Sequence, residues 1–247
     1  MIEFSFEAPL NHLYDFQDDQ DFIFALSFLC KDKRYIEYLK DCHKDGYKLI
    51  IDNSYNELQK ATPLRTLISL YKKFNADAII CPDCDTWNWH KYRLLFGRAS
   101  AILPIKDIYM VARCPEHFNY FEEIGVERIA IPYEFRPAFT GNIQYNGYPE
   151  SLKCNLRGAH FLGLNTLMEP LRYQAASCDT SMPIKLALLG KTIEQWVKEN
   201  CPHINSTPKF FELTLTSRQI QLAKKNIKDI KYFNQIKEKK DETSKYV

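Results

Sequence analysis

Short apolar runs rich in Ile, Val and Phe recur along the chain at intervals of roughly 20 to 30 residues, over 22–28, 48–52, 77–81, 108–112, 128–133, 159–164 and 176–179. Runs of this length without polar alternation read as parallel strands buried on both faces. Near the N-terminus, Ile2, Phe4, Phe6 and Ala8 alternate with other positions, the pattern of one more strand. Between the runs the apolar spacing changes from two to three and four. Leu64, Leu67, Ile68, Tyr71 and Phe74 share a helical face behind Thr62 as N-cap and Pro63 at the first helical position. Pro115 opens another helix, with Phe118, Phe121 and Ile124 on its inner face and Gly125 at its end. After the last run one helix is expected around 184–199. A second is expected from about Ser217, with Ile220, Ala223, Ile227, Ile230 and Phe233 on one stripe. Eight strand-then-helix units in 247 residues predict an α/β fold, a compact (β/α)8 barrel of the TIM type, with 1–236 as a single domain. A doubly wound sheet would use fewer strands and a Gly-rich first turn, and the sequence contains neither GxGxxG nor GxxxxGKS/T.

Composition narrows the class. With 45% hydrophobic and 26% charged residues the chain falls in the soluble globular range. No apolar run approaches the ~18 residues of a membrane helix. The opening Met1-Ile2-Glu3-Phe4-Ser5-Phe6-Glu7 carries acids where a signal peptide has a basic flank. Eight cysteines are scattered without the spacing of a disulfide framework, so the expectation is a cytoplasmic protein with free thiols and no membrane partner. The net charge is only +2, yet residues 217–247 hold nine basic and four acidic side chains, leaving a net −3 on the remainder. Most lysines of the final helix face away from its apolar stripe, as either a solvated face or an edge turned to a polyanion. Residues 237–247, KEKKDETSKYV, read as a disordered tail, and 137–157, rich in Gly, Asn, Pro and Tyr, as a long loop on the catalytic side of the barrel.

Barrels of this kind build their sites from the C-terminal ends of the strands. The polar residues that end the apolar runs are Asp52, Asp83, Arg113, Glu134, Asn165 and Asp179. Four carboxylates converging on one mouth are costly unless they serve a metal, a cation or a substrate that needs them. Neither an HExxH motif nor a His-rich cluster accompanies them, and metal-assisted hydrolysis stays the alternative. Cys81-Pro82-Asp83-Cys84 is a CxxC inside a barrel turn, and Cys201 with His203 would need two distant partners to complete a tetrahedral zinc site. The expectation is therefore no metal and no cofactor, with paired carboxylates acting on a glycosidic bond.

Four segments carry a resemblance. Ala76-Asp77-Ala78-Ile79-Ile80-Cys81-Pro82-Asp83-Cys84-Asp85 resembles the strand and FDEC-type turn of the tRNA-guanine transglycosylases. Leu49-Ile50-Ile51-Asp52-Asn53-Ser54 is similar to their TDSGG segment, and His160-Phe161-Leu162-Gly163-Leu164 to their YLMGVG strand. Ser177-Cys178-Asp179-Thr180-Ser181-Met182-Pro183 is similar to their FDCxMP strand, and 219–236 to their closing helix. The order and rough spacing also agree, over most of the barrel. The short length and the missing CxCxxC-plus-His module make the chain most similar to the compact, phage-encoded branch, which exchanges guanine in DNA for 7-deazaguanine bases. A compact tRNA enzyme of the same chemistry is the runner-up, and a non-catalytic base- or nucleic-acid-binding subunit is the third possibility.

The resemblance implies roles. Asp179 would be the nucleophile that forms a covalent glycosyl ester, and Asp52 the proton-transfer residue. Asp83, with Asn53 and Ser54, would read the base edge; Leu162 would pack on the base face, and Gly163 would let the base approach the backbone. Lys224, Lys225, Lys228 and Lys231 are expected to contact phosphates of the nucleic acid near the mouth. Structural alternatives stand beside these roles: a helix cap for Asp179 and for Asp83, an Asx turn for Asp52, plain core for Leu162. The sequence also departs from the family. The stacking aromatic expected just beyond Asp52 is shifted to Tyr55, with Asn56 in its register. Arg113-Cys114 replaces a Gln-Gly pair, and Pro132-Tyr133-Glu134 replaces a Gly-rich turn.

Overall fold

A computed structural model describes residues 2–83, 89–134, 156–164, 166, 169–202, 204 and 209–234 with side chains, and the backbone of 235–243. Eight strands form one all-parallel sheet: β1 Glu3–Phe6, β2 Ile23–Leu26, β3 Leu49–Asp52, β4 Ala78–Ile80, β5 Ile108–Val111, β6 Arg128–Pro132, β7 His160–Leu162 and β8 Ser177–Thr180. Their order is β1-β8-β7-β6-β5-β4-β3-β2, so the first strand pairs with the last and the sheet curls into a (β/α)8 barrel. Each strand corresponds to one of the apolar runs.

The β1–β2 seam is closed by side chains. Phe4 N–H donates to Asp21 Oδ2 (2.9 Å), Phe6 N–H to Gln20 Oε1 (2.6 Å) and Phe24 N–H to Ser5 Oγ (3.0 Å). Gln20 returns a bond to the Phe6 carbonyl at 2.9 Å, and the Asp21 N–H reaches the Phe4 carbonyl at 3.0 Å. Backbone groups that a sheet ladder would satisfy are thus satisfied locally.

The helices are α1 Lys33–Lys44, α2 Tyr55–Leu58, α3 Leu64–Phe74, α4 Trp89–Ser100, α5 Pro115–Glu123, α6 Glu169–Arg172, α7 Met182–Leu188, α8 Ile193–Lys198 and α9 Ser217–Thr243. Several differ from expectation for local reasons. α3 starts one residue late, with Pro63 as N-cap, because Thr62 is used otherwise: its N–H bonds Asn53 O at 2.8 Å and its hydroxyl bonds Ser27 Oγ at 2.7 Å. The single helix expected around 184–199 is two, since Gly190 adopts φ 68° and Thr192 with Gln195 begins a fresh helix by a capping box. α9 continues through 237 to Thr243, into the segment expected as a tail, along a run of good helix formers. The 137–157 loop lies outside the described residues except for its last two, as do Asn165, Cys84 and His203.

α9 packs chiefly on α7 through Ala223, Ile227 and Ile230, all fully buried. Its lysines run along the flank of the barrel. Lys231 bonds Asp21 Oδ1 at 2.7 Å, and Asp21 precedes β2, at the end of the sheet opposite the mouth. Lys225 pairs with Asp229 at 2.6 Å. Lys224, Lys228 and Lys231 all bear electrostatically on Asp19, in the acidic 3-10 turn Tyr14–Asp19. Lys231 thus ties the closing helix to the β1–β2 connection at the end of the sheet away from the mouth, while the Lys225 pair lies within the helix itself. Among the described residues, no helix is long and apolar enough to cross a membrane.

Candidate active site

The C-terminal ends of the strands surround a cleft of about 800 Å³, lined by Asp52, Asp83, Leu162, Gly163 and Asp179, by Asn53, and by residues the sequence reading passed over. Asp179 is the third residue of β8 and 6% exposed. Its Oδ1 accepts from His160 Nε2 at 3.2 Å and from Gly163 N–H at 3.3 Å. Among the described residues its Oδ2 has no hydrogen bond, so one oxygen is anchored and the other is left for the cleft. Ser181, not Asp179, occupies the cap position of α7.

His160 is fully buried inside the barrel, stacked on Phe24 at 5.1 Å, with Nδ1 2.8 Å from Ser177 Oγ. A proton on Nε2 shared with Asp179, and a Ser177 hydroxyl donating to Nδ1, satisfies all three groups. His160 therefore orients the Asp179 carboxylate, although its strand was legible and its role was not. Gly163 has φ 75°, which favours glycine, and a Cβ there would press on the Tyr133 ring at 3.2 Å.

Asp52 ends β3 and is 7% exposed. Its Oδ2 accepts the Ser54 N–H at 2.6 Å, so the Asx-type bond is present, and Oδ1 has no bond among the described residues. Burial, reinforced by Glu57 and Asp179, makes Asp52 hold its proton well above the usual carboxylate range. Ser54 itself, at φ 54° and fully buried, accepts at Oγ from the Ser27 hydroxyl (2.9 Å) and the Phe28 N–H (3.3 Å). The first bond joins the residue after β2 to the cap of α2, and Ser54, expected to read the base, is not among the described residues that line the cleft.

Asn53 is also a brace. Its amide donates to Cys81 O and Asp83 Oδ1, both at 2.8 Å, and its carbonyl accepts from Tyr55 N–H at 2.9 Å. Asp83 is gripped from the other side by Arg113, whose Nη2 and Nε reach Oδ2 at 2.6 and 3.2 Å. Burial opposes the Arg113 charge, but the Asp83 carboxylate and Tyr55 outweigh it, and Arg113 is held above its ordinary value. The guanidinium also lies 4.6 Å from the centre of the Tyr55 ring. The two departures from the family pattern, Arg113 and Tyr55, thus form one unit with Asp83. With side chains only 16% and 5% exposed, this pair is costly to break from one side. Asp83→Ala alone is expected to destabilise the fold by about 3–5 kcal/mol, whereas the Asp83→Ala/Arg113→Ala double variant loses less than the sum. Urea titration of the single and double variants reads this coupling, and additive losses would mean that the pair carries none.

Two carboxyls were missed. Glu7 lies one residue beyond β1, where the inward parity of the strand, opposite to Phe4 and Phe6, continues; its N–H bonds Thr180 O at 3.1 Å. Burial first, then Asp179 and Glu57, push its proton affinity well above normal, against a lowering by Lys185. Glu57 in α2 behaves alike, raised mainly by burial, and among the described residues its buried Oε2 has no hydrogen-bond partner. Groups raised in the folded state bind more protons there than in the unfolded chain. The contribution of these groups to stability is therefore greatest below the unfolded carboxylate value near 4.3 and falls as pH rises towards the folded values, by at most about 1.4 kcal/mol per pH unit for each group. Glu7→Gln is expected to flatten this decline and raise the melting temperature at pH 7; an unchanged pH dependence would place Glu7 outside the cluster.

No protein-family model matches the chain, and no curated protein matches it in sequence. Among solved structures it is similar to a cube-shaped, highly porous protein cage designed by fusing symmetric oligomeric domains, with TM-score 0.51 and 12% identity over 99% of this chain and 78% of that one. It is also similar to N-acetylneuraminate lyase from Mycoplasma synoviae (TM-score 0.48, 15% identity, 89% and 88% of the two chains). A tryptophan synthase alpha-subunit mutant from Pyrococcus furiosus gives TM-score 0.43 and 11% identity over 77% and 88%. The likeness is one of fold.

Proposed function

We propose that this barrel exchanges guanine in DNA for a 7-deazaguanine base through a glycosyl-aspartate intermediate. The observation that carries the proposal is the pair Asp52 and Asp179: two buried carboxyls from β3 and β8 that face one cleft in unlike surroundings. Asp179 is anchored through one oxygen, and Asp52 is disposed to hold a proton. That division of labour is what a retaining double displacement at a glycosidic carbon requires.

In the first step Asp179 Oδ2 attacks C1′. The C1′–N9 bond breaks with its electron pair on the departing guanine, which takes the Asp52 proton. In the second, Asp52 accepts the N9 proton of the incoming base, N9 attacks C1′, and the ester bond breaks to restore the Asp179 carboxylate. Inversion twice preserves the β-configuration. Asp83, oriented by Asn53 and Arg113, faces the donor edge of the base, with Leu162 against the ring. Because a barrel mouth cannot reach C1′ in a stacked duplex, the target nucleotide is flipped out or already single-stranded.

The test is incorporation of labelled 7-deazaguanine, or release of labelled guanine, with a DNA oligonucleotide and an unmodified tRNA transcript side by side. Exchange in DNA supports the proposal. Exchange confined to tRNA replaces it with the tRNA enzyme, and binding of either without exchange favours the non-catalytic subunit.

A further inference from the structure

The cleft is larger than one purine needs. Its 800 Å³ falls at the upper end of the ~300–1,000 Å³ that holds whole drug-sized ligands. Asp52, Asp83, Asp179 and Leu162 occupy the side formed by β3, β4, β7 and β8, and Glu7 stands at the end of β1. The wall past β2 has a different chemistry. Phe28, just past β2, meets Phe211 edge-to-face with ring centres 5.5 Å apart, and Phe211 meets Phe210 in the same manner at 5.1 Å. Phe210 is 6% exposed and serves as the backing, while Phe28 and Phe211 are only partly buried and line the cleft.

Two lysines line the same cleft as these rings. Lys185, one turn into α7, places Nζ 5.7 Å from the centre of the Phe210 ring and has neither a hydrogen bond nor an ion pair among the described residues. Lys209 also lines the cleft, with only a loose 3.7 Å contact to exposed Glu212. Partly exposed aromatic faces alternating with cations are how proteins hold single-stranded nucleic acid, bases on the rings and phosphates on the charges. Lys231 of α9 is turned to Asp21, whereas Lys185 and Lys209 line the cleft itself.

We infer that Phe28 and Phe211 form a second binding subsite, a stacking platform for the nucleobase adjoining the exchanged one, with Lys185 and Lys209 facing the connecting phosphates. This rests on the proposed function, which supplies the single-stranded substrate. Stacking reads no base edge, so the platform accepts any neighbouring base and fixes the strand's path, not its sequence.

The experiment uses the full chain carrying Asp179→Asn and a fluorescein-labelled single-stranded DNA oligonucleotide with one central guanine. Affinity is measured by anisotropy with an intact 5′ or 3′ neighbour and with that neighbour abasic, each against Phe28, Phe211, Phe28→Leu and Phe211→Leu. Loss of one stacked base is expected to weaken binding roughly 5- to 100-fold. Because the ring and the base are two halves of one contact, Phe211→Leu and the abasic neighbour each give this loss while the combination adds little to either. Equal affinities for intact and abasic strands, or losses that multiply, overturn the platform; the abasic strand tests it even where a Leu variant folds poorly. Base exchange on the same intact strand by the unsubstituted chain reports separately on the function. Exchange without neighbour dependence removes the platform and leaves the enzyme, and neighbour-dependent binding without exchange does the reverse.

Discussion

Asp179→Asn is expected to abolish base exchange, lowering the rate by roughly 10⁴-fold or more, since an amide oxygen is a poor nucleophile and the covalent route closes with it. The substitution keeps an acceptor for His160 Nε2 and the Gly163 N–H, so the loop after β7 stays in place. It also removes a charge that raises the proton affinity of Glu7, Asp52 and Glu57. The variant should therefore melt at a higher temperature than the parent at pH 7 while losing activity, a combination that misfolding cannot produce. Denaturing gels with DNA and base give the complementary readout: an adduct with the parent and none with the variant. Comparable exchange by the variant would remove Asp179 from the chemistry.

Asp52→Asn acts on the proton. Exchange should fall about 10²- to 10⁴-fold, the usual contribution of a positioned acid–base group. The pH profile distinguishes this from a loss of packing. In the parent, activity declines on the alkaline side as Asp52 gives up the proton that burial, Glu57 and Asp179 help it keep. In the variant no such group titrates, and that limb should flatten. A rate loss with an unaltered profile would assign Asp52 to the Ser54 turn alone.

The barrel was legible because each strand is a compact apolar run, and eight strand-then-helix units in 247 residues match a closed barrel better than a doubly wound sheet. Asp52, Asp83 and Asp179 were legible because strand ends are points where apolar text stops. Glu7 was hidden by the same logic: it follows an alternating strand whose buried Phe4 and Phe6 drew the eye to the outer face, while the inner face passed through Ser5 to Glu7. His160 sits at the start of its strand, not at the end, and its function depends on the register that sets it opposite Ser177. Asn53, Ser54 and Arg113 could be placed near the mouth from sequence, but which way each pointed depended on partners 27 to 30 residues away. Charge counting found the lysines of α9 and could not see the acidic turn that absorbs them.

The seam between β1 and β2 sets how the barrel comes together and apart. β1 emerges first in synthesis but has its backbone ladder only with β8, some 175 residues later, and a closure of that span is slow compared with the local βα pairings. Until β8 reaches β1, the strands from β2 onward can form only an open trough. On the other flank of β1, three side-chain acceptors stand in for a strand. Native-state hydrogen exchange should find the Phe4, Phe6 and Phe24 amides among the first of the barrel core to exchange, and opening there would move Glu7 and the Asp179 strand together, unroofing the carboxyl cluster before the rest of the fold yields.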